Sequence, residues 1–432
     1  MADVQPFAAW RYDLGHVGNL SNVVAPPYDV IDADLQAALY ELSPYNIVRL
    51  ELNRPEPGDT EESRYQRAAR LLKDWQQEGI LRQDPSPALY VYHQTFAVDG
   101  QSLTRRGVLA RVRLEPFGQG RIFPHEQTLA GPKVDRLRLY QATHMHLSPV
   151  FGLYPDTENV IQSRLDDAVR RQPPVAATDH LGIVNTLWPL TDPQVIQEVR
   201  RLFYDKPIFI ADGHHRYETA CRYRDDLQAR GELNSDEAPA HFVLMALVSM
   251  SDPGLRILPT HRLLSGWPEV SAGQLAESLR AAFDLNVIGT GPRAAAECWE
   301  HVATTPDQSV LGFGTHADGV WQTARLTRPE LMEQLAGDHS PAWRQLGVAR
   351  LHVLALDYLL LPRWGVPQCQ YVHRWQEVAD AVQTGASRVG VLVPPATMQD
   401  IVAIASRLEK MPAKSTYFFP KLLTGLVLYG LH

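Results

Sequence analysis

The chain has 432 residues, of which 45% are hydrophobic and 21% charged, and it carries a formal net charge of -8. That length exceeds one ordinary core and implies about two or three domains. The acidic balance argues against a general nucleic-acid binder, which needs a cationic face to gain from counterion release, but leaves room for a local basic pocket.

Cys221, Cys298 and Cys369 form no CxxC, so neither a disulfide framework nor a zinc finger is expected, and a reducing compartment is. The first residues lack a basic start followed by an apolar stretch, so no signal peptide is expected. The longest apolar run, "FVLMALVSM" at 242–250, is too short to span a bilayer. A cytoplasmic protein without a membrane partner is the expectation.

In chain order, "NVVAPPYDVI" (22–31) predicts a short strand ended by Pro26-Pro27, which lack N–H donors. Asp32 caps a predicted helix to about Leu42, and "YNIVRLEL" (45–52) reads as a strand. Leu71, Leu72 and Trp75 mark a helix over 62–78. The stretch from Ala88 to Leu114 alternates as a hairpin around Asp99-Gly100. A helix over 132–144, a strand after Pro149 and a helix over 156–171 follow. A strand near 182–188 precedes a helix opened by Asp192 and Pro193, cap and first position. The apolar run "PIFIA" then stops at Asp212-Gly213, and a helix begins at once. From about 240 the pattern starts afresh: a β-rich stretch (242–264), a helix (271–283) and hairpin strands (309–325). Helices near 329–336 and 350–362, a strand at "VGVLVPP" and a helix over 397–410 complete it. The expected architecture is α/β (α+β), with domains at 1–240 and 241–432.

The Asp212–Arg216 corner concentrates the chemistry. A helix N-terminus presents unpaired N–H groups and a positive dipole end, so it attracts anions. Gly213 lets a ligand approach the backbone, His214 and His215 add donors, and Arg216 can grip phosphate with two bonds. Asp212 would repel a phosphate directly; it suits orienting a histidine, holding Mg²⁺ or accepting a hydroxyl proton. The plain alternative is a helix cap with surface histidines. Four further groups stand beside it. His125 and Glu126 offer an acid/base pair or metal ligands, with Lys133 and Arg136 nearby as substrate contacts. The rigid Pro-Pro turn aims Tyr28 and Asp29. Lys414, Ser415, Thr416 and Lys421 suit an anion, although the chain has no P-loop. His261 and Arg262, after the turn at Asp252-Pro253-Gly254, read as structural. For each of the other three, an ordinary loop, turn or helix end carries about equal weight. A metal cannot be named: there is no HExxH, and adjacent histidines on a helix point about 100° apart.

Taken together, "AWRYD", "VAPPYDVI", "FPHEQTLAGPKVDR", "LSPVFGLY", "FIADGHHRYETA", "SDPGLRILPTHRL" and "KSTYFFPKLLTGL" resemble the bacterial and archaeal domain-of-unknown-function family 1015, over about residues 7–427. Locally, "IADGHHRYETA" resembles the phosphate-binding box of the ParB/sulfiredoxin superfamily, whose free-serine-kinase branch also reads Asp-Gly-His-His-Arg at this corner. That resemblance implies a ParB/sulfiredoxin-like N-terminal region with its site at Asp212–Arg216. It does not extend to DNA partitioning, since no helix-turn-helix or basic character is present, nor to sulfinic-acid reduction, since histidines stand where a cysteine is required.

The resulting expectation is phosphoryl transfer on a small hydroxylated metabolite, serine or phosphoserine among them, as kinase or phosphatase. Asp212 or Glu126 acts as base or Mg²⁺ ligand. His214, His215 or His125 exchanges protons, and Gly213 and Arg216 hold phosphate. Lys414, Ser415, Thr416 and Lys421 close an anion clamp from the second domain. ATP or ADP is the expected phosphate partner. The alternatives are a non-catalytic sensor of a nucleotide or phosphometabolite and, least favoured by the acidic charge, a nuclease.

Overall fold

The computed structural model describes residues 2–98, 100–128 and 130–432, and it is a mixed α/β protein. The chain forms two compact units. The first comprises Met1–Pro124, Thr128–Leu255 and Pro420–His432; the second comprises His125–Gln127 and Arg256–Phe419. The main path therefore leaves the first unit after Leu255 and re-enters it at Pro420.

Among the described residues of the first unit, nine strands form one mixed sheet. They are β1 (Val4–Gln5), β2 (Leu89–Val98), β3 (Gln101–Arg113), β4 (Ile122–Phe123), β5 (Val150–Tyr154), β6 (Val175–Thr178), β7 (Val184–Leu190), β8 (Ile208–Asp212) and β9 (Phe242–Ser249). Their order is β4-β8-β5-β9-β3-β2-β7-β6, with β1 on β3. The predicted hairpin is β2–β3, in register from Tyr90↔Leu109 to Val98↔Gln101, while Asp99 lies outside the described residues. The run "PIFIA" is continuous rather than alternating because β8 is covered on both faces: Ile208 to Ala211 are at most 5% exposed.

The helices follow their sequence signals. Helix α1 (Ala33–Leu42) starts where the Asp32 carboxylate accepts the Leu35 N–H. Helix α2 (Ser63–Gln77) buries Tyr65, Ala68, Leu72 and Trp75 on one face. Helix α3 (Ala130–Thr143) packs against α4 (His214–Ala229). Pro193–Phe203 is capped by Asp192, which accepts from Gln194 and Val195.

Two expected strands are corrected. Residues 22–31 form 3₁₀ turns at Leu20–Asn22 and Tyr28–Val30, and Ala25 keeps a single bridge to Thr424. Within 45–52, Val48–Glu51 is a helical turn. Asn46 starts it: its side-chain oxygen accepts the Val48 N–H, and its amide donates to the carbonyls of Asn22 and Val24. This Asx turn, just ahead of the Ile47 N-cap, overrides the strand preference of the apolar residues around it.

In the second unit, β10 (His261–Ser265), β11 (Phe283–Thr290), β12 (Val310–Thr315), β13 (Val320–Leu326), β14 (Gln368–Val372) and β15 (Val389–Leu392) form a sheet ordered β11-β13-β12-β15-β10-β14. The predicted 309–325 hairpin is β12–β13. Leu263, Cys298, Val302, Trp321, Val378 and Leu392 lie in its core. Arg256–Leu258 pairs with Tyr417–Phe419, so the outgoing and returning chain segments are zipped to each other.

Candidate functional site

The corner expected to bind an anion lies in the first unit. The pairing of β8 with β5 slips between Ile210 and Asp212, and this irregularity sets Asp212 opposite Phe151. Gly213 follows at φ +87, a left-handed conformation that turns the strand directly into α4. His214 is buried, His215 half-buried, and Arg216 only 3% exposed.

The Asp212 carboxylate is held by two cations. One oxygen pairs with the Lys421 Nζ at 2.5 Å, the other with the Arg216 Nη2 at 2.7 Å. Burial alone would push the Asp212 carboxyl up. The Lys421 and Arg216 cations, with a smaller contribution from His214, instead hold it far below the usual carboxylate range. The other end of Arg216 donates to the Pro149 carbonyl just before β5. Lys421 thus reaches this corner from Pro420–His432, part of the first unit.

Around Arg216 stand the groups of the Pro-Pro turn. Tyr28 is half-buried and Asp29 exposed, and both lie within electrostatic reach of the Arg216 guanidinium. Burial pushes the Tyr28 hydroxyl up to about 12, against the pull of Arg136. The Arg136 guanidinium lies over the Tyr28 ring, 4.2 Å from its centre. Arg136 is itself buried and committed to Glu51 at 3.1 Å and Asp135 at 2.5 Å. Lys133, from the same helix, pairs with Glu218 on α4 at 3.0 Å, and Thr128 donates to the same carboxylate. Both expected substrate contacts on α3 are therefore engaged in ion pairs.

The remaining candidates belong to the second unit. His125 is 1% exposed; its Nε2 lies 2.9 Å from the Thr416 hydroxyl, and its carbonyl accepts from Met411 N–H. Glu126 makes a parallel bridge with Met411. Ser415 is buried and donates to the Pro412 carbonyl. Lys414 is exposed at φ +55, with its carbonyl accepting from Arg262 at 3.1 Å. Arg262, expected to be structural, holds this loop from a position 1% exposed. His261 is buried against Trp299.

The sequence reading passes over three residues beside these candidates: Glu51, which pairs with Arg136, and Gln94 and Arg105, which donate to the Lys421 and Pro420 carbonyls. Glu51 lies in the segment misread as a strand. Arg105 was detectable, because alternation along β3 puts it on the face of Leu109, which is 1% exposed. Among the described residues, no group of three or more His, Cys, Asp or Glu residues is set to hold a metal ion, and no helix is long and apolar enough to cross a membrane.

The profile of the family described as "Protein of unknown function (DUF1015)" matches residues 4–349. Comparison with curated proteins returns no match. Similar solved structures include a conserved hypothetical protein from Pyrococcus furiosus, 12% identical, covering 72% of this chain and 92% of that one with a TM-score of 0.34. They also include a free serine kinase in complex with AMP, 12% identical, covering 69% and 83% with a TM-score of 0.33. SbnI with a C-terminal truncation, from Staphylococcus aureus, is 12% identical and covers 74% and 86% with a TM-score of 0.35.

Proposed function

The chain belongs to the DUF1015 family, and on that premise we propose that it is a phosphoryl-transfer enzyme acting on a small hydroxylated metabolite, with serine and phosphoserine as the first substrates to try. The observation that carries the proposal is the pair of cations on one carboxylate. Asp212 neutralises one charge, while Arg216 and Lys421 bring two, at the N-terminus of α4. A phosphoryl group placed there would meet both cations and the N–H groups that open α4. In this reading the corner is a ParB/sulfiredoxin-like phosphate box.

Phosphoryl transfer asks mainly for positioning and charge neutralisation. Arg216, Lys421 and the first N–H groups of α4 hold the phosphoryl oxygens. His214 or His215 exchanges the proton with the bridging or attacking oxygen. Asp212 is a poor proton acceptor, because both its oxygens are engaged and its carboxyl is held strongly ionised. Its role is to fix Lys421 and Arg216. ATP or ADP is the phosphate partner; Mg²⁺ would be held by the nucleotide's own phosphates and would supply charge neutralisation there, since no group of three or more His, Cys, Asp or Glu among the described residues is set to hold it.

One observation favours a second reading. A corner whose carboxylate is spent on ion pairs also suits a regulatory protein that binds a nucleotide or phosphometabolite without turning it over. The deciding experiment is a phosphate-transfer and phosphate-release screen with Mg²⁺, using phosphoserine, related phosphometabolites, and ATP or ADP with serine. Turnover that disappears in Arg216→Ala supports the enzyme. Binding without turnover selects the regulatory reading, and neither binding nor turnover overturns both.

A further inference from the structure

Arg105 sits on β3 at 1% exposure with no carboxylate in hydrogen-bonding contact among the described residues. Burial pushes its guanidinium down to about 10, so the fold works against its charge there. What it touches explains why it stays. Its Nη2 donates to the Gln94 side-chain oxygen and to the Pro420 carbonyl, the latter at 2.5 Å. The Gln94 amide donates to the Lys421 carbonyl at 3.0 Å and to Asn185 at 3.0 Å. One pair of side chains therefore grips two successive carbonyls of the returning strap. Thr424 pairs with Ala25 beyond it.

The sheet register ties this grip to the corner. Residues directly opposite in neighbouring strands share a face, as do residues two apart along a strand. Gln94 lies opposite Arg105; two residues on, Gly107 lies opposite Val248. Two residues back along β9, Ala246 lies opposite Phe151, and Phe151 lies opposite Asp212. Gln94, Arg105, Phe151 and Asp212 thus occupy one face, and the Arg105 guanidinium covers the Phe151 ring at 4.6 Å.

We propose that Arg105 and Gln94 are positioning residues that act through the main chain of Pro420 and Lys421, fixing the strap on the sheet so that the Lys421 ammonium meets Asp212. The proposal deepens the phosphate-site reading, since Lys421 is one of its two side-chain cations. It needs both residues: the guanidinium bridges Gln94 and Pro420, and Gln94 alone reaches the Lys421 carbonyl. A lysine at 105 would carry the charge without the planar fork.

Competitive acylation of lysines, read by mass spectrometry at neutral pH, tests this on the intact chain. Lys421 is tied to Asp212 and only 14% exposed, so it reacts slowly in the wild type. Gln94→Met removes no charge, and Arg105→Met removes the fork; each is expected to raise Lys421 labelling about tenfold. Lys133 and Lys206, held elsewhere, keep their wild-type rates. Asp212→Asn gives the same rise at Lys421, and adding Gln94→Met to it gives no further rise. Unchanged Lys421 labelling in the Gln94 and Arg105 variants overturns the proposal. So does an equal rise at all three lysines, which marks a loss of general stability. Pyrophosphate binding is measured alongside and is expected to weaken about tenfold in both variants. If wild-type protein binds no pyrophosphate while labelling follows the expected pattern, the phosphate reading falls and the positioning role stands.

Discussion

Lys421 and Asp212 stand 209 positions apart in the chain and form an ion pair 2.5 Å long, with side chains 14% and 18% exposed. Arg216 completes the arrangement from the opposite side of the carboxylate. Asp212→Asn keeps the shape and removes the charge that both cations share. Removing one partner of a buried ionic cluster costs about 3–5 kcal/mol, and a cost towards the lower end is expected for these slightly exposed side chains. Urea unfolding at neutral pH checks this; a loss below about 1 kcal/mol would mean the cluster is solvated. The pH sign follows from the depressed Asp212 carboxyl. Its contribution is fully present above its unfolded value, near 4, and is lost as pH falls further.

The two cations carry the ligand prediction. Lys421→Met and Arg216→Ala should each weaken binding of a phosphate-bearing ligand by at least about tenfold, the scale of one charge-assisted hydrogen bond. Titration calorimetry with pyrophosphate, ADP and phosphoserine measures it. Because each mutation also leaves Asp212 with one cation fewer, stability is followed in parallel.

Gly213 is predicted to resist substitution. At φ +87 any side chain is strained, and a Cβ there would lie 3.0 Å from the Arg216 Nε and Nη2. Gly213→Ala should lose about 1–3 kcal/mol and push the guanidinium off Asp212. Thermal unfolding and phosphate-ligand binding should therefore fall together, whereas a stability loss with intact binding would mean that Arg216 accommodates the methyl.

Acid should weaken the first unit well above the range where Asp212 titrates. His146 is 1% exposed, accepts the Leu244 N–H and packs against Tyr140 and Tyr429. Burial lowers it from 6.5 to about 3, so the unfolded chain binds one more proton between those values. Stability is full above pH 6.5 and falls as pH drops through that window, by about 1.4 kcal/mol per pH unit for each such proton. His146→Gln, which keeps an acceptor for the Leu244 N–H, should flatten urea-derived stability between pH 6.5 and 4.5. In the second unit, His261 at about 3 and His352 at about 4 add the same dependence.

Local signals in the sequence foretold local structure. Asp32 and Asp192 announced their helices, and strict alternation announced β2–β3, because caps and period-two burial act over a few residues. The strand–glycine–helix corner was legible for the same reason. The turn at Val48–Glu51 was not, since the Asn46 side chain that leads into it is anchored on carbonyls more than twenty positions away. Lys421 was recognised as an anion-seeking residue, but its partner was not, because only the sheet register and the returning strap bring it to Asp212. Arg105 escaped notice because charged residues on strands ordinarily face water, and its inward position shows only once β3 is phased against Leu109.

The excursion from Leu255 to Pro420 also sets an order of assembly. A ribosome releases the chain from its N-terminus, at about 5–20 residues per second. Asp212 and Arg216 emerge early, but Lys421 follows only after the whole of Arg256–Phe419 has been made. During that interval the nascent first unit holds the carboxylate and one of its two cations, and the face that receives Pro420–Thr424 stands uncovered. Closure of the corner therefore waits until Pro420–Thr424 has been made, and a chain truncated before Pro420 would carry the Asp-Gly-His-His-Arg motif without the lysine that completes it.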